Sequence, residues 1–179
     1  MHIDAGIPWE PGKRLGEAVN RFMAKVDHWG LILDWDVHLL NVHWYDLCLD
    51  AIRRAGPQAG LITCVTNRIG CPLQRVKGAP DSDSRDEHAD FAMHYEMEHA
   101  GELEDITHQS RWKLSGFFFL TSREAFDVVG PAPANKFIGF DNWYHDRLRE
   151  AGYGIYIMRN LYCFHAYRRQ WKKPSGGSE

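Results

Sequence analysis

Apolar residues change their period several times along the chain, and those changes outline the elements. From Gly12 to Val26 the apolar positions Leu15, Val19, Phe22 and Val26 recur at the spacing of one helix face, with Pro11 and Gly12 at the entry. Leu31, Ile32 and Leu33 follow without alternation, the pattern of a short strand covered on both faces. A helix carrying Val42, Tyr45, Leu49 and Ile52, capped by Asn41 and stopped before Gly56, is predicted next, and a second apolar strand follows in GLITCVTN, residues 60–67. Helix, buried strand, helix, buried strand predicts an α/β domain built on a largely parallel sheet.

Residues 78–110 are polar, acidic and rich in histidine, with a helix predicted from about Asp86 to Ala100, and they read as an excursion from the sheet, a mobile loop or lid. Beyond them KLSGFFFLT reads as a strand, and TSRE (Thr121 to Glu124) has the capping-box pattern for a helix carrying Ala125, Phe126 and Val129. A further helix is predicted from about Asp141 to Glu150, ending at Gly152, followed by two β-rich runs, YGIYIM and LYCFHAY, separated by Arg159 and Asn160. The whole reads as one domain over residues 1–171 and a disordered tail over 172–179, with no internal repeat.

Bulk properties narrow the class. A chain of 179 residues with 44% hydrophobic content can bury one sizeable core. The net charge of -3 is spread without a long block of either sign, which argues against nucleic acid or an anionic membrane as partner. No apolar run approaches the roughly 18 residues that span a bilayer, and MHIDAGIPWEPGK has no basic segment followed by an apolar one, so a cytoplasmic protein is expected. The four cysteines form no CxxC pair and read as reduced, mostly buried thiols.

Three stretches could carry chemistry. In WGLILDWDVHLL, residues 29–40, Asp34 and Asp36 emerge where a buried strand ends, the end at which such sheets bind ligands. Two carboxylates so placed can hold a hard divalent cation that accepts phosphate oxygens, although Asp-x-Asp is also an ordinary turn former. GFDNWYHDRLREAGYGIYIMRNLYCFHAYR places Asp141 at a helix start and His165 in or after a late strand, positions that an N-cap and a half-buried histidine would equally fill. LSGFFFLTSREAFDVVG pairs Ser115 and Gly116 with a strand and a helix, and is otherwise plain core. A zinc site on His88, His94 and His99 is a weaker reading, since no two are four apart and no HExxH is present.

In this order, the D-x-D after an apolar strand, the S-G-x-x-x-L-x-x-R-E-A-F-x-x-V-G run and the F-D, R-L, A-G-Y and H series together resemble glycosyltransferase family 2, nucleotide-sugar-dependent transferases of the GT-A fold, from roughly Gly12 to Tyr167. GKRLGEAVNRFM is similar to the helix that precedes the D-x-D strand in that family. The resemblance implies a single-domain GT-A-like, Rossmann-like α/β fold with a mixed, mostly parallel sheet flanked by helices. It implies a metal-dependent, inverting glycosyltransferase of hexosyltransferase type, moving sugar from a nucleotide-sugar donor such as a UDP-sugar to a hydroxyl on a glycan or small molecule. Asp36 would ligate manganese or magnesium at the donor diphosphate, Asp34 would lie near the ribose or reach the metal through water, and His165 would complete the ligands. Asp141 would be the general base, Ser115 and Gly116 the turn beside the donor sugar, Asn20 a donor-side contact, and Trp143 and Trp112 sugar-stacking residues.

The chain departs from that pattern twice. Phe140 stands where many relatives carry glutamate. Only 33 residues precede Asp34, whereas the family places a full strand-helix-strand unit for the nucleobase there. The nucleotide-binding half therefore reads as truncated, with three outcomes open: a different grip on the donor, completion by a homo-oligomer or partner chain, or a degenerate GT-A-like domain that binds sugar or a partner without catalysis. YRRQW shares residues with the Gln-x-x-Arg-Trp motif of processive synthases in a different order, and does not support that activity.

Overall fold

The computed structural model of the chain describes residues 1–12, 14–109, 111–134 and 139–166. The tail at 172–179, YRRQW and Tyr167 lie outside the described residues. In chain order the elements are β1 (Ile3–Gly6), α1 (Leu15–Met23), β2 (Trp29–Leu33), β3 (Val37–His38), α2 (Trp44–Ala55), β4 (Ala59–Thr66), a 3-10 turn (Pro72–Gln74), α3 (Arg85–Glu98), β5 (Leu103–Asp105), β6 (Phe118–Ser122), α4 (Arg123–Val129), α5 (Phe140–Glu150) and β7 (Gly154–His165). The helices lie in the stretches expected, except that α2 starts at Trp44 with His43 at its N-cap, so that Val42 stands outside it and Asn41 accepts the His43 N–H instead of capping the helix.

One sheet of seven strands runs in the order β1-β2-β6-β4-β7-β3, with β5 also paired to β7. It is mixed, but the expectation of a mostly parallel sheet is wrong: β1/β2 and β4/β7 are parallel, whereas β2/β6, β4/β6, β3/β7 and β5/β7 are antiparallel. The physical reason is visible in the core. Ile32, Leu61 and Phe119 join one buried cluster with Val19, Phe126, Tyr144 and Leu148, while Leu31, Ile62 and Phe118 join another with Cys48 and Ile52. Successive residues of β2, β4 and β6 thus point into two cores, under α1, α4 and α5 on one face and α2 on the other. A run such as LIL or FFFL records burial on both faces, which β6 has while running antiparallel to its neighbours.

Three local details also differ from the sequence expectation. Residues 78–110 are no lid: α3 docks on β7, where buried His88 lies 2.7 Å from the Tyr162 hydroxyl and stacks on Phe164 at 4.0 Å, and β5 joins the sheet. The α4 cap is Ser122, whose hydroxyl accepts from the Ala125 N–H at 3.0 Å, one residue later than Thr121. Thr121 is a buried strand residue, its hydroxyl spent on the Gly60 carbonyl at 2.7 Å. The two late β-rich runs are a single strand, β7, whose register against β4 jumps between Met158 and Tyr162.

Asn20 also proves structural. Its side chain clamps the main chain of Ala132, donating to the carbonyl at 2.9 Å and accepting from the N–H at 2.8 Å. The amide expected to face a donor is thus engaged in holding the loop after α4 against α1. Gly16 serves the same junction, since a Cβ there would lie 2.1 Å from the Pro133 carbonyl oxygen.

Candidate metal centre

The four strands β1, β2, β4 and β7 run in one direction, so their carboxyl ends share one edge of the molecule. At that edge β2 ends in a tight turn: the Asp34 N–H donates to the Phe117 carbonyl at 3.0 Å, and the Val37 N–H returns to the Asp34 carbonyl at 3.2 Å. The chain then forms β3, which pairs Val37 with His165 and His38 with Phe164. An Ala166 N–H to the Asp36 carbonyl, 3.0 Å, closes the junction. Residues 129 apart in sequence are brought together in this way: the Asp36 Oδ1 lies 3.2 Å from His165 Nε2.

Asp34, Asp36 and His165 each offer a ligand atom, and these atoms lie within 4.8 Å of one another. Two ligands at about 2.1 Å from an ion and at right angles to each other are about 3.0 Å apart, so the 3.2 Å contact matches one edge of a metal octahedron. Two carboxylates and one imidazole suit manganese, magnesium or a similar divalent ion.

The histidine is held rather than loose. Its ring stacks on Phe117 at 5.5 Å, and its main-chain N–H donates to Asn67 Oδ1 at 2.9 Å. Burial pushes the His165 pKa below its usual value, against the raising influence of Asp36, so the ring is neutral at pH 7, the form that binds a metal. Asn67, at the exit of β4, was not singled out in the sequence; a polar residue ending an apolar run was its one signal.

Asp34 shows the electrostatic cost of the arrangement. Its carboxyl pKa is pushed up to about 6, first by the protein packed around it and then by the charges of Asp36 and Asp141. The residue keeps an exposed surface, so the repulsion between carboxylates is the firmer of these causes. No side-chain cation among the described residues contributes to its electrostatics.

The charge of Asp141 is felt at Asp34, although Asp141 is not among the three residues whose ligand atoms lie within 4.8 Å of one another. It opens α5, and each of its oxygens accepts one main-chain N–H: Oδ2 from Gly116 at 3.1 Å and Oδ1 from Asn142 at 2.8 Å. The contact at Gly116 is close, since a Cβ there would lie 3.2 Å from the Asp141 Cβ and one of the two would have to give by a few tenths of an ångström. Ser115 is fixed by the buried Gln74, whose Oε1 accepts its N–H at 2.7 Å and whose Nε2 donates to its carbonyl at 3.0 Å. Nothing in the sequence pointed to Gln74.

Other residues with expected roles stand elsewhere or do other work. Trp143 is partly buried against the core, between Phe140 and Tyr144. Trp112 sits on the surface with the Arg111 guanidinium 5.2 Å above its ring. His88, His94 and His99 bond separately to Tyr162, the Asp90 carbonyl and Glu102, and form no metal cluster among the described residues. All four cysteines are buried and free, with Cys64 and Cys163 in sulfur contact at 3.4 Å.

Two surface depressions, of about 460 and 360 Å³, lie away from the carboxylates, one near Gln58 and Tyr153 where β4 and β7 begin, the other between α2 and α3. The second is lined by His43, Asp46, Asp50 and Glu96, but among the described residues only Asp34, Asp36 and His165 bring three ligand atoms within 4.8 Å of one another, so the chemistry favours the open cluster. Comparison with protein-family models, with curated proteins and with solved structures finds no match to this chain.

Proposed function

We propose that the chain is a metal-dependent glycosyltransferase that moves a sugar from a nucleoside-diphosphate donor to a hydroxyl acceptor, on a GT-A-like fold. The observation that carries this reading is that Asp34, Asp36, Asp141 and His165, drawn from three separate stretches of chain, gather at the carboxyl end of the sheet. They are the same four residues that the family resemblance selects.

Asp36, His165 and Asp34 would hold a divalent cation, manganese or magnesium, whose charge would offset that of a diphosphate leaving group. Asp141 is the proton acceptor: the acceptor's O–H bond breaks toward its carboxylate as the oxygen bonds to the anomeric carbon, and the anomeric C–O bond breaks with its electrons leaving on the nucleoside diphosphate. The main-chain N–H groups of Gly116 and Asn142 orient that carboxylate.

Titration of the protein with Mn²⁺ and a panel of nucleotide sugars tests the reading. Asp36→Ala should abolish metal-dependent donor binding, while Asp141→Asn should keep binding and lose transfer. Absence of any metal-dependent nucleotide-sugar binding by the wild type would end it. The alternative, a non-catalytic sugar- or partner-binding domain, draws on one observation: Asp141 also acts as the tie between β6 and α5. Under that alternative Asp141→Asn changes stability and there is no transfer to lose.

A further inference from the structure

The hollow of about 360 Å³ between α2 and α3 is walled on the α2 side by His43, Asp46, Leu47, Asp50 and Arg53, which recur at the spacing of one helix side. A helix side turned toward its own molecule is ordinarily apolar. This one carries two carboxylates, and Glu96 of α3 adds a third across the gap. Three carboxylates against the single guanidinium of Arg53 leave the hollow acidic.

Two of the three have work within the protein. Glu96 Oε2 accepts from the Asn41 amide at 2.9 Å and lies 3.1 Å from His43 Nδ1, which ties the start of α2 to α3. Asp50 pairs with Arg53 at 3.4 Å and with Arg54 at 3.7 Å. Asp46 is exposed and has no partner among the described residues.

Asn160 closes the hollow from the sheet side. It stands where the register of β7 against β4 jumps between Met158 and Tyr162. On the outer edge of β7 it falls between the stretch paired with β5, which ends at Met158, and the stretch paired with β3, which begins at Phe164. Such irregularities are frequent beside binding sites. The residue is 5% exposed and lines the hollow, yet its amide makes no hydrogen bond among the described residues. Its amide atoms are not enclosed by protein either, so the hollow is what they face. Buried amides are almost always bonded, and leaving one unpaired costs stability. A ligand in the hollow would satisfy it.

The lining selects among ligands. An anion would meet excess negative charge. A bare metal ion finds no cage, because no three of these side chains bring ligand atoms within 4.8 Å of one another. A sugar ring or a base finds no Trp, Tyr or Phe face in the lining, whereas Leu47 and Ala100 offer small aliphatic surface. What fits is a cation that donates hydrogen bonds and has an aliphatic body.

We propose that the hollow between α2 and α3 binds an aliphatic ammonium ligand, with Asn160 Oδ1 accepting an ammonium N–H at its floor and Asp46 supplying unpaired negative charge at its rim. The shared chemistry has two sources, a free diamine or polyamine and the lysine side chain of a partner chain. The site is separate from the metal centre and does not rest on the reading of that centre.

The test is calorimetric titration of the full chain at low salt with putrescine, spermidine and N-acetyl-lysine N-methylamide, and with 1,4-butanediol as the uncharged counterpart of putrescine. At least one ammonium ligand should bind saturably at one site, more weakly as salt is raised, and butanediol should not. Lysine amide binding as tightly as putrescine assigns the ligand to a partner's lysine; tighter binding of putrescine or spermidine assigns it to a free amine. Asn160→Leu removes an unpaired buried amide, so it should melt no lower than wild type while losing about tenfold or more in affinity. Asp46→Lys reverses an exposed, unpartnered charge and should also weaken binding about tenfold. Absence of saturable binding by all three ammonium ligands, or equal binding of butanediol, overturns the proposal. So does wild-type affinity in a folded Asn160→Leu variant, and should that variant not fold, wild-type affinity in Asp46→Lys overturns it instead.

Discussion

Replacing Asp34 with asparagine should make the metal-free protein more stable and the metal-loaded protein relatively less so. The Asp34 carboxyl is pushed from 3.8 up to about 6. The native state therefore holds this proton more tightly than the unfolded chain does, and the associated stability is fully present below about pH 4 and lost as pH rises through about 6. At pH 7.5 the ionised side chain is a net cost. A shift of this size corresponds to at most about 3 kcal/mol, and because Asp34 is exposed to solvent, screening reduces the expected effect to about 1 kcal/mol.

Asparagine keeps the shape and removes the charge. In chelator at pH 7.5, Asp34→Asn should raise the melting temperature by about 2–4 °C for a domain of this size, and the gain should vanish near pH 4. With Mn²⁺ at a hundred times its dissociation constant the wild type should gain about 2.7 kcal/mol and overtake the variant, which gains little. Thermal melts followed by circular dichroism at both pH values, with and without metal, read all four arms. A variant that in chelator is no more stable than wild type at pH 7.5, or that is equally stabilised at both pH values, would show that Asp34 is not under charge repulsion.

Three further outcomes follow from the same structure. Mn²⁺ affinity should rise with pH up to about 6 and level off above it, with proton release on binding below that point, because metal must displace the proton that Asp34 retains; a pH-independent affinity from 5 to 8 would remove Asp34 from the ligand set. Tyr162→Phe should destabilise the fold by about 1–3 kcal/mol in urea unfolding by leaving the buried His88 Nδ1 without its 2.7 Å partner; an unchanged midpoint would mean that α3 does not depend on this bond. Gly16→Ala should cost about 1–3 kcal/mol or more by forcing α1 away from the Pro133 carbonyl, and a neutral result would show that the loop after α4 yields freely.

The helices and the long apolar strands were legible because each depends on local pattern, whereas the short strands β1, β3 and β5 were not, and neither was strand direction, since burial on both faces gives the same apolar run in either orientation. Residues 78–110 misled for a different reason. The inner face of α3 is aromatic and imidazole rather than aliphatic, and it docks through His88, Phe91 and Tyr95 against Tyr162. Such a face reads as polar in sequence. The join between the late β-rich runs was hidden in Arg159, whose side chain turns out to bind the Leu73 carbonyl and the Glu104 carboxylate across the register jump.

At the site, the paired carboxylates could be read from one short stretch, whereas Asp141 and His165 needed the order of distant motifs. Gln74 and Asn67 could be read from neither. Their work is to satisfy main-chain groups 41 and 98 residues away in sequence, and nothing in the chain near them requires an amide. Polar residues that orient the ligand-bearing segments become visible only when the segments meet.

The carboxylate cluster also bears on which reading of the site is sound. Repulsion among Asp34, Asp36 and Asp141 can be relieved by a proton, by a basic side chain or by a bound cation. A group titrating at about 6 carries its proton about one time in ten at pH 7, which leaves most molecules with the charge unrelieved. No basic side chain among the described residues contributes to the balance at Asp34, and His165, which touches Asp36, is held neutral by its burial. Folding alone does not favour two carboxylates beside a neutral imidazole with the charge of a third acting on one of them. A divalent ion would take Asp34, Asp36 and His165 as ligands and lessen the repulsion that Asp141 adds, and that is the physical reason to regard this edge of the sheet as a candidate site.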